Sequence, residues 1–536
     1  MAFQWYPVPS FGGGMNVAAD PARIDDSHWT NCHAVMPDGD QAVTAPAWQV
    51  YLKASDWLPA GHTAAGWVPD LMLAQPGGML LFAYPTGATT IDKVYQIQLI
   101  WSTPPVTPTV SPLLGITGGS VDVDVDGIMP PPMTTSAVAA NQLVITGVPA
   151  GPTLNGAFKY IGDGYIYAIP NICGYHACAA GGHAIIGNLR GTDVPAGTGG
   201  RTVKVSDGGA APLATWTPDI SNSADFFQAD GGGPIIGLAP VTGGFAIIMQ
   251  RGLSIGQTTR QIPPFTVDRV QSRGGLGEGT LTPAGLIYMT QGGLSDVSGN
   301  LLAPQITPYL MANIDPQAAG TGINVISDPA NDAAVVTNLA VNYVVCMKLR
   351  TQAVWRHRLP FTPSLPRMAL HGSVQFQAPF LLFAGTMTDA PRATVHTVMN
   401  ADTGAVWSQF DLNTPEPDAY VDTKDFCFGA QQTDPPTWQS YVDRLKLDWE
   451  GTSLDVYAAV RNHLGPTASP YWQEDATTPL TWTKLGTLTN GLSELPVRLR
   501  GKFFRFRFQM GATVAPFRIR GFSIRYLPAS DRRWDH

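Results

Sequence analysis

Three short stretches of the sequence combine residue types that could do chemistry. Gly252-Leu253-Ser254-Ile255-Gly256 matches the G-x-S-x-G frame, in which a strand, a strained turn and a helix expose a nucleophilic serine. The helix is missing from the pattern. Gln257 to Pro264 ends in Pro263-Pro264 and has no 3.6-residue period, so this stretch predicts a hairpin turn whose glycines take positive φ. Asp122, Asp124 and Asp126 alternate ahead of Gly127, like the opening of a calcium loop. Met133 stands where such a loop needs a bidentate Glu, and Pro130-Pro131-Pro132 block an exiting helix, so a solvated strand face ending in an Asp-Gly turn is expected. Cys173, His176, Cys178 and His183 are all zinc-competent, but their spacing fits no finger or knuckle. They read as free thiols and histidines in a loop. No phosphate loop, no H-E-x-x-H and no convincing carboxylate pair is found, so no catalytic, cofactor or metal residue is assigned and no enzymatic activity is expected.

The most informative stretch lies near the end. In Phe504-Arg505-Phe506-Arg507-Phe508 three aromatics share one strand face and two arginines the other, which buries an aromatic stripe and presents guanidinium groups outward. Phe517 and Ile519 oppose Arg518 and Arg520; beyond Gly521 the parity flips, with Phe522, Ile524 and Tyr526 opposite Ser523 and Arg525. Gly521 should therefore mark a bulge or bend. Outward arginines either keep edge strands soluble, dock an acidic subunit surface or guide DNA.

These residues sit in a chain of 536 residues, long enough for several domains, with 44% hydrophobic but only 13% charged residues. With 57 Gly and 46 Pro, many short strands joined by turns are expected, not long helices. A net charge of -8 argues against general attraction to nucleic acid and leaves room only for a local basic patch. Five scattered cysteines do not form the framework of a small secreted domain and point to free thiols in a reducing cytosol. The N-terminus lacks a signal-peptide pattern, and the apolar segment Leu71 to Tyr84 is too short and too broken to span a bilayer.

The elements that must position the arginines follow from the patterning. Residues 1–50 show little periodicity and are expected to be an extended arm that a neighbour orders. Residues 51–436 repeat an apolar strand, a glycine turn and a second strand, at Phe158 to Tyr167, Phe245 to Ile255, Gly285 to Leu294, Tyr343 to Trp355 and Phe380 to Val398. The apolar centres recur every 40 to 57 residues or so, which suits a four-stranded blade and predicts an all-β chain with a β-propeller-like central domain of about six or seven blades. A loop region is expected near 102–135, where the Pro/Thr-rich run from Ser102 to Thr109 lacks ladder donors. Residues 437–536, with candidate strands at Val442 to Trp449, Leu454 to Val460 and Leu495 to Phe508, read as a C-terminal β-sandwich.

Phe11-Gly12-Gly13-Gly14-Met15-Asn16, Asp20-Pro21, Ile24-Asp25-Asp26 and Trp29-Thr30-Asn31 resemble the opening of short-tailed bacteriophage tail proteins. Gly244 to Gly256, Gly274 to Leu276 and Gly285 to Leu294 are similar to their propeller hairpins, and Phe503 to Tyr526 to their closing sandwich strands. The resemblance implies a hub or nozzle of the virion, assembled in the host cytoplasm. Such a protein forms a ring, typically hexameric, below the portal and its adaptor, extends the DNA channel, retains the packaged genome and anchors fibres or a needle. It implies partners in copies of itself, the portal-adaptor protein and fibre or needle proteins, with non-specific contact to passing DNA and no cofactor. Phe11, Asn16, Trp29, Arg505, Arg507, Arg518, Arg520 and Arg525 are the candidate interaction residues. Two other classes of function compete: recognition of host-surface glycans through aromatics such as Trp472 and Trp482, and a propeller-type polysaccharide hydrolase.

Overall fold

The computed structural model describes residues 2–18, 21–52, 67–75, 78–85, 93–98, 109–112, 114–117, 120–122, 133–139, 142–147, 157–160, 165–169, 172, 174–189, 198–208, 215–230, 232–259, 261–313, 323–328, 331–337, 343–359, 369–371, 381–385, 405–408, 414–428, 439–461 and 480–528. The chain is all-β. Apart from two single helical turns, the described residues hold one short α-helix, Thr307–Ala312.

From residue 67 onward the chain lays down antiparallel sheets one after another. The first holds Trp67–Gln75, Gly78–Pro85, Lys93–Gln98 and Thr109–Pro112 in sequence order. The second holds Met133–Ala139, Gln142–Gly147, Ala157–Tyr160 and Tyr165–Ile169, and Leu114–Thr117 adds to its far edge in parallel. Gly174–Ala180 to Asp225–Gln228 form the third, and Ile235–Val241 to Phe265–Gln271 the fourth. The fifth has three strands, Thr280–Thr282, Gly285–Thr290 and Gly293–Asp296. The sixth runs from Ile323–Asp328 to Val354–Arg358. The seventh takes Ala369–His371, Leu381–Gly385 and Ala405–Ser408, and its fourth strand is Gln49–Leu52 from the other end of the chain.

Inner strands such as Gly244–Met249 are apolar on both faces because both faces are covered. In Gly244–Met249 every residue is buried. Phe245, Ile247 and Met249 pack toward Ile185, Val203 and Val205 of the third sheet, whereas Ala246 and Ile248 pack toward Leu286 and Tyr288 of the fifth. This explains continuous apolar runs where a one-sided sheet would alternate. The opening strands also touch one another in a cycle. Trp67–Gln75 meets Met133–Ala139, and contact passes through Gly174–Ala180, Ile235–Val241, Thr280–Thr282 and Ile323–Asp328 to Ala369–His371, which returns to Trp67–Gln75.

The remaining strands make two facing sheets drawn from both chain ends. One contains Val35–Asp38, Gln41–Thr44, Phe517–Leu527, Ser440–Gly451 and Glu494–Gly501, with Gln4–Val8 also paired to Phe517–Leu527. The other contains Gly14–Met15, His28–His33, Tyr420–Thr423, Phe503–Met510, Ser453–Arg461 and Thr483–Thr489. Residues 4–44 are thus built into these sheets and do not extend away from them. Tyr420–Thr423, upstream of residue 437, belongs to them as well. The stretch Leu495 to Phe508 is two strands joined at Lys502, not one. Thr109–Pro112, Leu114–Thr117 and Ser120–Asp122 fall within the 102–135 region; 102–108 and 123–132 lie outside the described residues.

At Gly521 the last strand changes partner and register. Gln41–Thr44 pairs at Arg518 and Ile519, Gln4–Val8 pairs from Phe522 to Tyr526, and the register against Ser440–Gly451 slips between Asp448 and Trp449. A Cβ on Gly521 would lie 2.4 Å from the Val8 carbonyl oxygen, so the bare glycine is what lets the N-terminal strand cross there. The facing sheets share one core with the fifth and sixth sheets, in which Trp29, Phe506 and Phe522 are continuous with Ile287, Val335 and Trp355.

Candidate functional site

The arginine and phenylalanine strand sits between Tyr420–Thr423 and Ser453–Arg461. Phe504, Phe506 and Phe508 are fully buried. Phe508 packs edge-on against Phe522 at 5.4 Å and Phe11 at 5.8 Å, and Phe11 against Trp29 at 5.9 Å. The Trp29 indole N–H donates to the Phe11 carbonyl at 3.1 Å. Phe11 and Trp29 therefore close the core of the sandwich, and as core residues neither presents a contact surface. Asn16 is partly exposed; its N–H donates to the Trp29 carbonyl, and its side-chain oxygen accepts from Ala18 N–H at 3.2 Å. It fixes a local turn.

The arginine face of the same strand departs from the expected outward display. After Thr423 the chain keeps running alongside this strand and bridges Phe426 to Phe504, which brings Asp425 beside Arg505. Arg505 is 2% exposed and its Nε lies 2.7 Å from Asp425 Oδ1; Arg461 reaches the other carboxylate oxygen. Arg507 grips Asp422 with two hydrogen bonds of 2.6 and 2.8 Å, and its guanidinium lies between the rings of Tyr420 at 4.1 Å and Trp482 at 4.6 Å. A buried guanidinium needs a carboxylate partner to offset its lost hydration, and fork geometry supplies it. Lys424 extends the network by pairing with Asp26 at 2.7 Å, whose other oxygen accepts from the Tyr6 hydroxyl at 2.6 Å.

The outer face of the partner sheet behaves as the alternation predicts. Arg518 lies 3.9 Å from Asp38, Arg520 pairs with Asp448 at 3.3 Å and with Glu450, and Arg525 pairs with Asp443. These side chains are 46%, 40% and 28% exposed, so solvent screens the pairs and each adds little stability. Arg525 also lies over Phe3 at 5.2 Å and Trp5 at 5.8 Å.

A second buried cation fixes the sandwich to the sixth sheet. Arg356 donates from Nε to the Cys32 carbonyl at 2.7 Å, lies 4.3 Å from the Tyr343 ring, and reaches the hydroxyls of Tyr309 and Tyr420. Next to it Trp48 donates its indole N–H to His357 Nδ1 at 2.7 Å, while His357 Nε2 faces the Pro46 carbonyl at 3.1 Å. That pairing selects the neutral Nε2–H tautomer. The pair holds Trp48 directly ahead of the strand that completes the seventh sheet.

Where they are described, the chemically suggestive residues sit in strands and pack against their neighbours. Ser254 is buried inside strand Gly252–Thr258, opposite Ile247, and not in a turn. Neither Gly252 nor Gly256 has positive φ; Gly256 is bare because the Phe245 ring occupies the space a Cβ would fill, 2.4 Å away. His176 and Cys178 lie on a strand, not in a loop. His176 is 1% exposed and its Nδ1 lies 2.9 Å from Glu278 Oε1, while His183 Nδ1 faces the Ser206 carbonyl at 2.7 Å. Among the described residues no three His, Cys, Asp or Glu side chains meet to hold a metal. Burial raises the Cys178 and Cys346 thiols and pushes Cys32 up to about 12, so these sulfurs stay protonated and unreactive at neutral pH. Asp122 ends a short strand. Cys173, Asp124, Asp126 and Trp472 lie outside the described residues.

Sequence reasoning missed Asp422, Asp425 and Arg356. A signal was present for the first two: residues 437–536 hold fourteen Lys and Arg against nine Asp and Glu, so the C-terminal cations must find acids elsewhere, and Asp418 to Asp425 is an acidic stretch with strand alternation.

No family model and no curated protein matches the chain. Among solved structures, apo AztD from Citrobacter koseri aligns at 11% identity over 54% of this chain and 86% of its own, with a TM-score of 0.30. A luciferin-regenerating enzyme aligns at 10% identity over 68% and 94%, TM-score 0.30. An exo-beta-1,3-galactanase from Phanerochaete chrysosporium aligns at 8% identity over 89% and 100%, TM-score 0.25. Similarity at this level carries no argument about the fold or activity of this chain.

Proposed function

We propose that the chain is a structural subunit of a short bacteriophage tail, a hub or nozzle in which the seven successive sheets are the blades of a β-propeller and the two-ended sandwich is a docking module. The observation that carries this reading is the routing of the N-terminal segment. Strands within residues 4–44 complete the sandwich and Gln49–Leu52 completes the seventh sheet, so the N-terminal segment is tied into both parts of the body. A subunit that must transmit load between neighbours gains from sheets that join distant parts of its chain, and its interfaces use shape more than chemistry. Arg356, buried where the sandwich meets the sixth sheet, couples the two parts so that they move together. The sequence resemblance in the opening residues and the hairpins points to the same class of protein. Its partners would be copies of itself in a ring, typically of six, with a portal-adaptor above and fibres or a needle below.

Negative-stain microscopy and mass measurement of the purified chain, alone and with portal and adaptor, test the reading. Rings with an open axial hole, alone or on the adaptor, are expected. A chain that stays monomeric under both conditions and cleaves a polysaccharide would overturn it.

A further inference from the structure

Charge is divided sharply along the third and fourth sheets. From Ser206 to Gln250 the sequence holds four Asp and no Lys or Arg, and from Arg251 to Arg273 four Arg and one Asp. The fold sends the two signs to opposite ends of the strands. At one end Arg269 Nη2 donates to the Arg251 carbonyl at 3.0 Å, and Gly274, beside Arg273, packs so closely on Arg251 that a Cβ would lie 2.5 Å from its nitrogen. Residues 229–232 link this group to Arg201: Ala229 N–H donates to the Arg201 carbonyl at 2.8 Å, and Arg251 N–H to the Gly232 carbonyl at 2.6 Å. Among the described residues Arg201, Arg251, Arg269 and Arg273 make no ion pair; Arg260 lies outside them. Asp230 stands beside the group, and alternation turns Asp268 to the other face from Arg269. Val270, 48% exposed, adds an apolar spot. At the other end Ser206 N–H donates to the Ala184 carbonyl at 2.8 Å beside the Gly181-Gly182 turn, and a Cβ on Gly181 would lie 2.9 Å from Thr258. Thr258 closes the strand Gly252–Thr258 that follows Arg251, so the two ends are about 20 Å apart at the usual rise. The loop leaving from Ser206, described at 206–208 and 215–225, carries Asp207, Asp219 and Asp225. Ser223 donates to Asp207 at 2.6 Å and Ser221 to Asp219 at 2.7 Å, and Asp219 and Asp225 make no ion pair among the described residues. Between Asp219 and Ser221, Ile220 is 98% exposed.

We infer that these two ends are the two halves of one self-contact: the acidic loop of one subunit docks on the arginine end of the next, with Ile220 beside Val270. The inference rests on the ring proposed above and names the surfaces that would join its neighbours. Complementary charge selects a second copy as the occupant. A polyanion such as DNA would use the arginine end and leave the acidic loop and Ile220 without a role, and a cation would do the reverse. Another copy of this chain uses both. Unpaired guanidinium groups meet unpaired carboxylates, which fixes the register of the contact, and the exposed Ile220 gains an apolar neighbour inside a polar rim. Because the two surfaces differ and lie at opposite strand ends, each subunit that docks its loop still has its arginine end free for another. That is the heterologous geometry from which rings are built.

The test is sedimentation velocity of the full-length protein, alone and with portal and adaptor, using charge-reversed variants at each end. Arg251→Glu/Arg273→Glu and Asp219→Arg each set like charges against one another, and each alone should associate about tenfold more weakly than the wild type. An equimolar mixture of the two should recover most of the loss, because the two reversed ends then meet. No purely structural role of these residues predicts that recovery. Circular dichroism melts keep a misfolded variant from counting as a loss, and Ile220→Ser, which leaves Asp219 to hold its turn, should weaken association less. Association indifferent to both charge variants, or not recovered in the mixture, overturns the contact and leaves the ring standing. A wild-type chain that stays monomeric under both conditions overturns the contact and the ring together. Binding of duplex DNA that is lost in Arg251→Glu/Arg273→Glu while self-association is unchanged would assign the arginine end to nucleic acid and overturn the contact too.

Discussion

The two arginine rows of the sandwich have nearly the same sequence pattern and opposite fates. Arg505 and Arg507 alternate with phenylalanines; Arg505 ends inside the protein on Asp425, and Arg507, 21% exposed, is held by the buried Asp422. Arg518, Arg520 and Arg525 alternate with apolar residues and stay on the surface, on Asp38, Asp448, Glu450 and Asp443. Alternation decides which side chains share a face. What each row meets is decided elsewhere: the segment from Asp422 to Asp425 runs beside the first row and supplies it with buried carboxylates, whereas Asp38, Asp448 and Glu450 beside the second row are exposed.

The comparison breaks first at Asp425. Asp425→Ala leaves Arg505 and Arg461 without a buried carboxylate, and a loss of about 3–5 kcal/mol is expected from urea unfolding. A loss no larger than that of a surface substitution would mean that the two rows are equivalent after all. Next is Gly521→Ala, where the new Cβ meets the Val8 carbonyl. Displacing the N-terminal strand should cost roughly 1–3 kcal/mol, and limited proteolysis should cut first near residues 4–8. The smallest effect is expected at Arg520→Ala on the exposed row, where the thermal midpoint should stay within experimental error of the wild type.

Much of this was legible in the sequence. The bend at Gly521 follows from the parity flip between Ile519 and Phe522, and the hairpins at Phe245 to Ile255 and Gly285 to Leu294 follow from apolar runs broken by glycine. The burial of Arg505 was not legible, because its partner stands 80 residues away and outward alternation is the same whether or not an earlier segment brings a carboxylate beside it. Nor was the fate of residues 4–44. Short strands such as Gly14–Met15 have no periodicity of their own and exist because sheets at the other end of the chain offer them an edge. Ser254 shows the converse: a five-residue match to a catalytic frame arises where Gly256 makes room for Phe245.

Hydrogen exchange measured by mass spectrometry on the full-length protein tests most directly whether the two chain ends form one body. Amides in 4–8 and 28–33 should exchange as slowly as those in 440–451 and 517–527, and all four should open together as denaturant is added. Rapid exchange of 4–8 and 28–33 while the C-terminal strands remain protected would show a loose arm laid over a separate sandwich, and would contradict the account.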